Sequence, residues 1–417
     1  MSESFDAIIV GGGLAGLTCA RYLCDNGVTC RLLEASDDIG GRVRTDQVDG
    51  FLLDRGFQVF LTAYPEARDI LDYEKLELRQ FEPGALVRMR GEFQRLSDPW
   101  RRPRHLLATA LSPVATLADK MRIARFRKHT TRGEVEDILT RPQQRTIELL
   151  YGRGFSSAVV EQFFRPFLGG VFLDAKLETS SRMCEFVFRM FALGDATLPA
   201  AGMAEIPRQL ANQLPTGVVS AASPVDSVEG LTVILRSGER LTGRAVVIAT
   251  EAPAAQELIG GRFNTSGRSV CNLYFATDEP PILEPILVLN GDGTGPINNL
   301  CVPSEVSSAY APPGQSLISV TVLGAHEDQQ RLVEQVRDQL NDWFGLIATT
   351  WRHLRTYAIR YALPSQSPFS LEPMEKPTAF RDGLFVCGDH GDTGSINGAM
   401  ASGRRAAEAV LHTLGDS

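Results

Sequence analysis

The chain has 417 residues, of which 43% are hydrophobic and 22% charged, a balance typical of a globular protein with room for two domains. Its formal net charge of −8 argues against nucleic acid as a partner. Met1 leads directly into a predicted strand, and no apolar run reaches the ~20 residues of a membrane-spanning helix, so we expect neither a signal peptide nor a spanning segment.

The cysteines point to a reducing compartment. There are seven of them, without C-x-x-C spacing, which favours free thiols, a cytoplasmic location and no metal site. Cys19, Cys24 and Cys30 lie close together in sequence and are predicted to be core residues rather than a redox or metal site.

The first predicted element is a buried parallel strand at 7–10, because these residues form a continuous apolar run. Gly11, Gly13 and Gly16 follow it as a G-x-G-x-x-G turn, which opens a helix ending near Asn26. In such a turn Gly11 permits the sharp bend, Gly13 lets the backbone approach a pyrophosphate, and Gly16 lets the helix pack closely on the strand. The pattern therefore predicts a dinucleotide-binding unit.

The helix N-terminus and the next strand complete this unit. Leu14 and Ala15 begin the helix, whose free N–H groups and positive dipole end favour a bound diphosphate. The second strand, at 29–33, ends at Glu34 and Ala35, where a carboxylate accepts hydrogen bonds from a ribose 2′-hydroxyl and repels a 2′-phosphate. We therefore expect FAD or NAD rather than NADP.

A second glycine pair, Gly40 and Gly41, precedes Arg42. The glycines are expected to bring another backbone segment against the same pyrophosphate, and the Arg42 guanidinium to neutralise its charge. This G-G-R-x-x-[ST] element resembles that of the FAD-dependent amine oxidase and phytoene desaturase superfamily, and the chain is most similar to its phytoene desaturase branch. The resemblance implies FAD as the cofactor. Through the family's D-x-G segment it also implies that Gly56 and Phe57 lie beside the flavin.

Near its C-terminus the chain carries two further elements similar to the family's G-D and G-A-x-x-S-G signatures. Asp389 follows Gly388 at the end of a predicted strand, where it can hold a ribityl hydroxyl or a pyrophosphate-bound water. A helix predicted at about 398–414 starts just after Ser395 and Ile396. Its N–H groups are expected to face the flavin N1/C2=O edge, where negative charge develops on reduction. The alternative for this helix is ordinary packing through a face of small residues.

The predicted fold class is α/β, with a discontinuous Rossmann-like domain and a second, α+β domain. The FAD-binding domain is expected to consist of residues 1–75, 201–254 and 376–417. Within its second segment, the resemblance implies that the backbone of Val225 touches the adenine side of FAD. The substrate domain is expected to consist of residues 76–200, which are helical in pattern, and 255–375, which add an antiparallel sheet and a helix.

A basic segment interrupts this acidic chain. Between Leu86 and Arg132 there are twelve Lys or Arg residues and only three Asp or Glu residues, interleaved with apolar side chains. Such a basic amphipathic segment can dock on an anionic membrane surface to collect a lipophilic substrate. The alternative is a solvated helical face whose apolar side packs on the substrate domain.

The choice of reaction rests on what surrounds the predicted flavin. No lysine occurs in 177–375, where the family's amine oxidases carry one, and Cys387 lies inside a predicted strand rather than at the position of a covalent flavin link. The segment 163–172 resembles the apolar substrate region of phytoene desaturases, and 361–364 resembles their A-x-P element. The resemblance implies noncovalent FAD that accepts a hydride at N5 from a lipophilic, isoprenoid or polyene, substrate, in a desaturase-like or isomerase-like reaction.

Several alternatives stay open at this point. They are a flavin amine oxidase that produces imine and peroxide, and a flavoprotein without catalytic activity. The electron acceptor is expected to be O2 or a quinone. No catalytic residue is assigned, although Gln58 and Tyr361 are the best polar candidates. The aromatic side chains of Phe163, Phe164, Phe167 and Phe172 are candidates to line a hydrocarbon tunnel, and the alternative is that they fill the core.

Overall fold

The computed structural model describes residues 4–98, 101 and 112–415. Its strands are β1 (Ser4–Val10), β2 (Cys30–Leu33), β3 (Thr45–Val48), β4 (Phe51–Asp54), β5 (Phe60–Leu61), β6 (Arg79–Gln80), β7 (Gly84–Met89), β8 (Glu92–Ser97), β9 (Ala196–Leu198), β10 (Val219–Ser220), β11 (Val225–Glu229), β12 (Thr232–Leu235), β13 (Arg240–Ile248), β14 (Gly267–Thr277), β15 (Leu287–Asn290), β16 (Ile297–Cys301), β17 (Ser316–Leu323), β18 (Arg352–Pro364), β19 (Ala379–Arg381) and β20 (Leu384–Val386). Its α-helices are α1 (Leu14–Asp25), α2 (Pro65–Ile70), α3 (Leu117–Thr130), α4 (Val135–Leu139), α5 (Thr146–Gly152), α6 (Ser157–Val159), α7 (Arg165–Phe172), α8 (Ser181–Leu193), α9 (Glu205–Asn212), α10 (Ala252–Ile259), α11 (Pro303–Val306), α12 (Gln329–Phe344) and α13 (Ile396–Gly415).

The first of the two large sheets contains the predicted nucleotide-binding strands. Its order is β10-β2-β1-β13-β12-β11, with β20 paired to β13 and β19 to β20. β1 runs parallel to β2 and β13, so that Ile8 lies opposite both Arg31 and Val246. Residues 7–10 are buried because central parallel strands are covered on both faces, which accounts for their continuous apolar run. All of these strands come from the three segments predicted to bind FAD, although the domain boundaries stay a prediction.

Two helices cover this sheet side by side, and small residues allow their close approach. α1 packs against α13 along much of its length. A Cβ atom built at Gly403 in α13 would lie 2.2 Å from the Ala15 carbonyl oxygen in α1, so no other residue fits there without a shift of backbone. The N-terminal ends of α1 and α13, both near the carboxyl edge of the sheet, therefore lie close to each other.

The second large sheet has the order β18-β14-β17-β16-β15-β7-β8. β14 is antiparallel to β17 and β18, whereas β15 and β7 run parallel, with Leu287 opposite Ala85. The predicted α/β fold class, with a Rossmann-like sheet and a second part of antiparallel sheet and helices, is confirmed. Within the described ranges, no helix has both the length and the apolar character needed to cross a bilayer.

The prediction that residues 76–200 are helical was wrong for the first part of this segment. This segment starts with strand β6 and the hairpin β7–β8, and its described helices begin only with α3. Arg90 and Gly91 at the hairpin turn both have positive φ, 55° and 80°, as a two-residue hairpin turn of this kind requires. The sequence offers no Asn-Gly or Asp-Gly pair here, so the turn was not recognised.

The basic segment 86–132 does not form one amphipathic element. Its first part is the hairpin β7–β8, residues 99–100 and 102–111 lie outside the described residues, and its last part contains α3. Several of its charges are used internally: Arg88 is buried with its guanidinium 5.0 Å from the Phe93 ring, and Arg95 pairs with Glu284. Among the described residues of this segment, a membrane contact would therefore involve a single element such as α3 rather than the whole of 86–132.

Candidate active site

One large cavity, of about 1220 Å³, connects the glycine turn of β1 to the helices of the other part of the molecule. This volume exceeds the ~300–1,000 Å³ of a typical small-ligand site, so it has room for a dinucleotide and a second molecule. Of the site residues predicted from the sequence, all line the cavity except Gly16. The predicted residues that line it are Gly11, Gly13, Leu14, Ala15, Glu34, Ala35, Gly40, Gly41, Arg42, Gly56, Phe57, Val225, Gly388, Asp389, Ser395 and Ile396.

The three glycines of the first turn differ in what surrounds them. Gly11 has φ +114°, and a Cβ atom there would lie 2.8 Å from the Ala249 carbonyl oxygen. A Cβ atom at Gly16 would lie 2.0 Å from the Gly11 carbonyl oxygen, so Gly16 serves the packing of α1 on β1. A Cβ atom at Gly13 would meet no protein atom within 4 Å, which leaves open space in front of the helix N-terminus.

Glu34 stands at the end of β2 as a fixed hydrogen-bond acceptor. Its Oε2 accepts a hydrogen bond from the Gly12 backbone N–H at 2.7 Å. Its Oε1 accepts from the Ser36 N–H at 2.8 Å and from the Ser36 hydroxyl at 2.7 Å. These bonds hold the carboxylate beside the glycine turn, where it can accept from the hydroxyls of a ribose.

The second glycine pair lies directly against the first turn. The Gly40 N–H donates to the Gly12 carbonyl at 2.8 Å, and a Cβ atom at Gly41 would lie 3.3 Å from the Gly13 Cα. Two backbone segments from different loops thus face the same part of the cavity, an arrangement suited to a pyrophosphate.

Arg42 and Asp389 form an ion pair that the sequence did not predict. The Arg42 Nη2 lies 2.7 Å from the Asp389 Oδ1, and its Nη1 donates to the Ala362 carbonyl at 2.8 Å. Burial opposes the charge of Arg42, but the facing Asp389 carboxylate outweighs it and raises the pKa of Arg42. The pair joins the first and last predicted FAD segments at the wall of the cavity.

Gly56, Gln58 and the first residue of α13, Ile396, line the same cavity. A Cβ atom at Gly56 would lie 2.9 Å from the Ile359 Cδ1. The Gln58 side chain donates through Nε2 to the Arg42 carbonyl at 2.8 Å, while its buried Oε1 has no partner among the described residues. α13 begins at Ile396, two residues earlier than predicted, because the Ser395 hydroxyl accepts a hydrogen bond from the Gly398 N–H at 3.0 Å.

The far chamber of the cavity is predominantly apolar. Phe163 and Phe167 stack with ring centroids 5.6 Å apart, and Phe167 lies 5.4 Å from Phe191 of α8. The prediction that Phe164 lines the tunnel was wrong, because its ring is fully buried against Phe155 at 4.8 Å. Phe164 instead lies behind the cavity lining, with its ring centroid 5.3 Å from that of Phe163. Other apolar walls come from α7, α8 and nearby loops, among them Phe81, Phe172, Met183, Val187 and Phe188.

The chamber reaches the surface near α3. Leu117, the first residue of α3, lines the cavity and is 71% exposed. Basic side chains also line this end: Arg101 pairs with Asp195, and Arg127 donates to the Ala192 carbonyl at 2.8 Å. Charged groups thus surround the opening, and aromatic rings the interior.

Tyr361, a polar candidate from the sequence, lies in an adjoining cleft rather than in the main cavity. Its ring centroid is 5.8 Å from the Arg42 guanidinium carbon, and its hydroxyl is buried without a hydrogen-bond partner among the described residues. Burial raises the pKa of Tyr361 well above its ordinary value. Its hydroxyl is therefore neutral near pH 7, and its ring lies beside Arg42, outside the lining of the main cavity.

A comparison with protein families accounts for this geometry. Residues 14–411 match the model of the family described as flavin containing amine oxidoreductase. The chain belongs to this family. The resemblance predicted from the sequence is therefore confirmed. Membership of this family implies that the protein is an oxidoreductase with a flavin cofactor.

Curated relatives match over limited lengths. The chain is 38% identical over 82 residues to a carotenoid 3,4-desaturase of Haloarcula japonica, covering 17% of each chain. It is 24% identical over 162 residues to protoporphyrinogen oxidase 2 of Arabidopsis thaliana, covering 39% of this chain and 31% of that one. It is 33% identical over 103 residues to a 15-cis-phytoene desaturase of an Oncidium hybrid, covering 23% and 18%. The matched parts span less than a third of each relative's length.

Solved structures share the whole fold at low identity. An oxidoreductase from Methanosarcina mazei superposes with a TM-score of 0.75 at 18% identity, covering 98% of this chain and 100% of that one. Putrescine oxidase bound to putrescine gives 0.72 at 14% identity, covering 99% and 100%. Reduced UDP-galactopyranose mutase gives 0.71 at 16% identity, covering 99% and 96%. At these identities the likeness shows the fold alone.

Asp54 is a buried residue just outside the cavity lining, two residues before Gly56. It ends β4, and its side chain does not line the cavity. Its Oδ1 accepts from the Thr45 hydroxyl at 2.6 Å and the Met203 N–H at 3.0 Å, and its Oδ2 accepts from the Tyr310 hydroxyl at 2.8 Å. Burial nevertheless raises the pKa of Asp54 to about 6. The loop that carries Gly56 starts from this buried anchor.

The variant Asp54→Asn is expected to gain stability relative to the wild type as the pH rises. The pKa of Asp54 is about 6 in the fold against 3.8 ordinarily, so this carboxyl favours folding most below pH 3.8 and loses that contribution as the pH rises to 6. Asn removes the dependence. In urea unfolding, the difference in free energy between the two proteins should shift by about 2 kcal/mol towards Asn between about pH 4.5 and about pH 7.5.

The matched control is Asp46→Asn, which should show no measurable shift between about pH 4.5 and about pH 7.5, because the pKa of Asp46 lies below its ordinary value of 3.8. Burial opposes the charge of Asp46, but hydrogen bonds from Arg55 and Tyr357 outweigh it and lower the pKa of Asp46. Its contribution is therefore present above the ordinary pKa and lost at low pH. A shift towards Asn of similar size in both variants over this pH range would contradict the assignment.

Proposed function

We propose that the chain binds FAD noncovalently and transfers a hydride to it from a lipophilic substrate of the isoprenoid or polyene class, as a desaturase-like or isomerase-like oxidoreductase. The observation that carries this proposal is the continuity of the cavity. One end of this space is formed by the two glycine turns, which contain Gly11, Gly13, Gly40 and Gly41 and are called the cradle below. The other end is the chamber of stacked aromatic rings. A cofactor in the cradle and an apolar molecule in the chamber would meet near Gln58.

The residues of the cradle fit a dinucleotide. The space in front of Gly13 and the N-terminus of α1 suit the pyrophosphate, and the carboxylate of Glu34 suits the adenosine ribose. Val225 lines the cavity beyond Glu34, on the side assigned to adenine. We therefore propose the predicted set as the FAD-binding residues, with Gly16 acting through helix packing alone.

The flavin end of the cavity is formed by few polar groups. Bound FAD supplies a hydride acceptor that this chain's side chains do not provide. α13 begins at Ile396, which lines the cavity, and this supports the proposal that the N–H groups of its first turn stabilise negative charge on the cofactor. The Gln58 Oε1, which has no partner among the described residues, can accept a hydrogen bond from the cofactor or the substrate. The aromatic rings exclude water and align an apolar chain.

Two observations favour noncovalent attachment and a substrate other than an amine. No cysteine lines the described part of the cavity, and Cys387 is buried in the core beside β20. The cavity-lining lysine of the described residues is Lys120 of α3, and it donates to the Ser112 carbonyl at 2.9 Å at the far end of the chamber. It is thus distant in the cavity from Gly56 and Gln58.

The test of the cofactor is release and identification. Acid or heat denaturation of the purified holoprotein should liberate all of the flavin as FAD, identified by chromatography against FMN and FAD standards. Turnover is then measured by incubating the holoprotein with a carotenoid in detergent micelles and following new or isomerised double bonds by absorbance. Flavin that stays with the denatured chain, or FMN in the supernatant, would contradict the proposal.

We also propose that α3 contacts an anionic membrane at the chamber opening, where O2 or a quinone and the substrate have access. Leu117 and Met121 are 71% and 49% exposed, one helical turn apart, and Arg125 and Lys128 continue the same exposed face. Apolar and basic side chains in this arrangement suit an anionic lipid surface.

The double variant Leu117→Glu/Met121→Glu is expected to lose co-sedimentation with anionic liposomes at low salt, while the wild type binds. The physical reason is the loss of apolar insertion together with repulsion of the added carboxylates. The control is Leu346→Glu, since Leu346 is 85% exposed elsewhere on the molecule and should bind as the wild type does. Equal binding by the double variant, or no binding by the wild type, would contradict this surface assignment.

A further inference from the structure

Two cysteines of the nucleotide-binding unit lie in direct contact. Cys24 is in the last turn of α1, Cys30 is the first residue of β2, and their Sγ atoms are 3.2 Å apart. All seven cysteines of the chain are free thiols. The sequence predicted that these two are core residues, which describes Cys30, at 6% exposure, but not Cys24, which is only partly buried.

The backbone between the two thiols already holds them close. The Gly27 N–H donates to the Cys24 carbonyl at 3.0 Å, and the Val28 N–H donates to the Leu23 carbonyl at 3.1 Å, which closes a tight turn from α1 into β2. A disulfide needs a sulfur–sulfur distance of about 2.05 Å, so the two sulfurs have to approach by only about 1 Å. The turn therefore keeps its shape when the bond forms.

The two thiols differ in a way that suits sequential oxidation. The hydrogen bond with Cys30 lowers the pKa of Cys24 and outweighs burial and the Asp25 carboxylate, which act in the opposite direction. The same contact, together with burial, raises the pKa of Cys30. Cys24 is also the more exposed of the two, so it is the thiolate that meets an oxidant, and Cys30 is the thiol that follows.

We propose that Cys24 and Cys30 form a reversible disulfide when the protein meets hydrogen peroxide. The Cys24 thiolate attacks one peroxide oxygen, the O–O bond breaks, and Cys24 becomes a sulfenic acid while the other oxygen leaves as water after protonation. Cys30 sulfur then attacks the Cys24 sulfur and displaces the hydroxyl, which leaves as a second water with the Cys30 proton. Two thiols thus lose two electrons to one peroxide, and a dithiol reductant reverses the step.

The disulfide closes a short ring at the end of α1 that is remote from the cofactor cradle. Gly13 precedes the first turn of α1, and Cys24 lies 11 residues further on, which is about 16 Å along a helix. We therefore expect FAD content to stay unchanged and the thermal midpoint to rise by about 2 °C through restriction of the unfolded chain.

The test uses the wild-type holoprotein and peptide mapping. Trypsin is expected to release both cysteines in one peptide, 22–31, because no Lys or Arg lies between Arg21 and Arg31. After peroxide treatment and alkylation in denaturant, this peptide should carry no alkyl groups and be two hydrogens lighter than its reduced form. Treatment with dithiothreitol before alkylation should restore both alkyl groups. Cys184, which is fully buried, should be alkylated in both samples.

Two single variants separate the roles of the thiols. Cys30→Ser should let Cys24 accumulate as sulfenic acid that reacts with dimedone, whereas Cys24→Ser should leave Cys30 unlabelled. The proposal is overturned if the wild-type peptide keeps both alkyl groups after peroxide treatment. It is also overturned if Cys24 proceeds to sulfinic acid without a link, or if both variants take up dimedone equally.

Discussion

Gly13→Val is expected to give a folded protein that purifies without FAD. Gly13 has φ −75° and ψ 179°, an extended conformation that valine adopts readily, and a Cβ atom there meets no protein atom within 4 Å. The valine side chain would instead occupy the space proposed for the pyrophosphate. We expect flavin absorbance of the purified variant to fall to a few per cent or less of the wild-type value, with an unchanged far-ultraviolet circular dichroism spectrum.

The control for this variant is a valine at another glycine with open surroundings. Gly152, at the end of α5, is exposed and has no atom within 4 Å of a built Cβ, and it is far from the cavity lining. Gly152→Val should keep its flavin. A Gly13→Val protein that retains one FAD per chain would show that the cradle is not where the pyrophosphate binds.

Phe167→Ala is expected to raise the KM for a carotenoid substrate by about tenfold while leaving the FAD content unchanged. Phe167 stacks on Phe163 and contacts Phe191 within the apolar chamber, so its loss removes a contact with an apolar substrate. The measurement is the dependence of anaerobic flavin reduction on carotenoid concentration in micelles.

Phe164→Ala provides a contrast at the next aromatic position. Its ring is fully buried against Phe155 and does not line the cavity, so truncation should cost about 3–5 kcal/mol of folding stability with little change in KM. The reverse result, a KM effect at Phe164 and none at Phe167, would contradict the assignment of Phe167 to the substrate contact.

The parts of the site that depend on local chain geometry were predictable from the sequence. The strand, glycine turn and helix at 7–25 form as predicted, because apolar runs and glycine spacing determine them within a short stretch. Glu34 and the pair Gly40 and Gly41 reach the same cavity because they follow directly from that unit.

The apolar chamber was harder to predict from the sequence. Val187, Phe188 and Phe191 of α8 line it, yet in the sequence they resemble any apolar helix face, and only the packing of distant segments directs them inward. The ion pair between Arg42 and Asp389 joins residues 347 positions apart, a contact that no local pattern encodes. That Tyr361 lines an adjoining cleft rather than the main cavity depends on such packing too.

The central claim is that the flavin of this protein exchanges a hydride with a lipophilic molecule. The most direct measurement is anaerobic reduction of the bound flavin in the purified holoprotein, followed by loss of its visible absorbance. The panel contains carotenoids and quinols in micelles alongside aliphatic and aromatic amines, and the carotenoids are also tested for isomerisation by dithionite-reduced protein. We expect reduction or isomerisation with the lipophilic molecules and no reduction by amines. Bleaching by an amine, with peroxide released on admission of air, would contradict the account, and so would a flavin that none of these molecules engages.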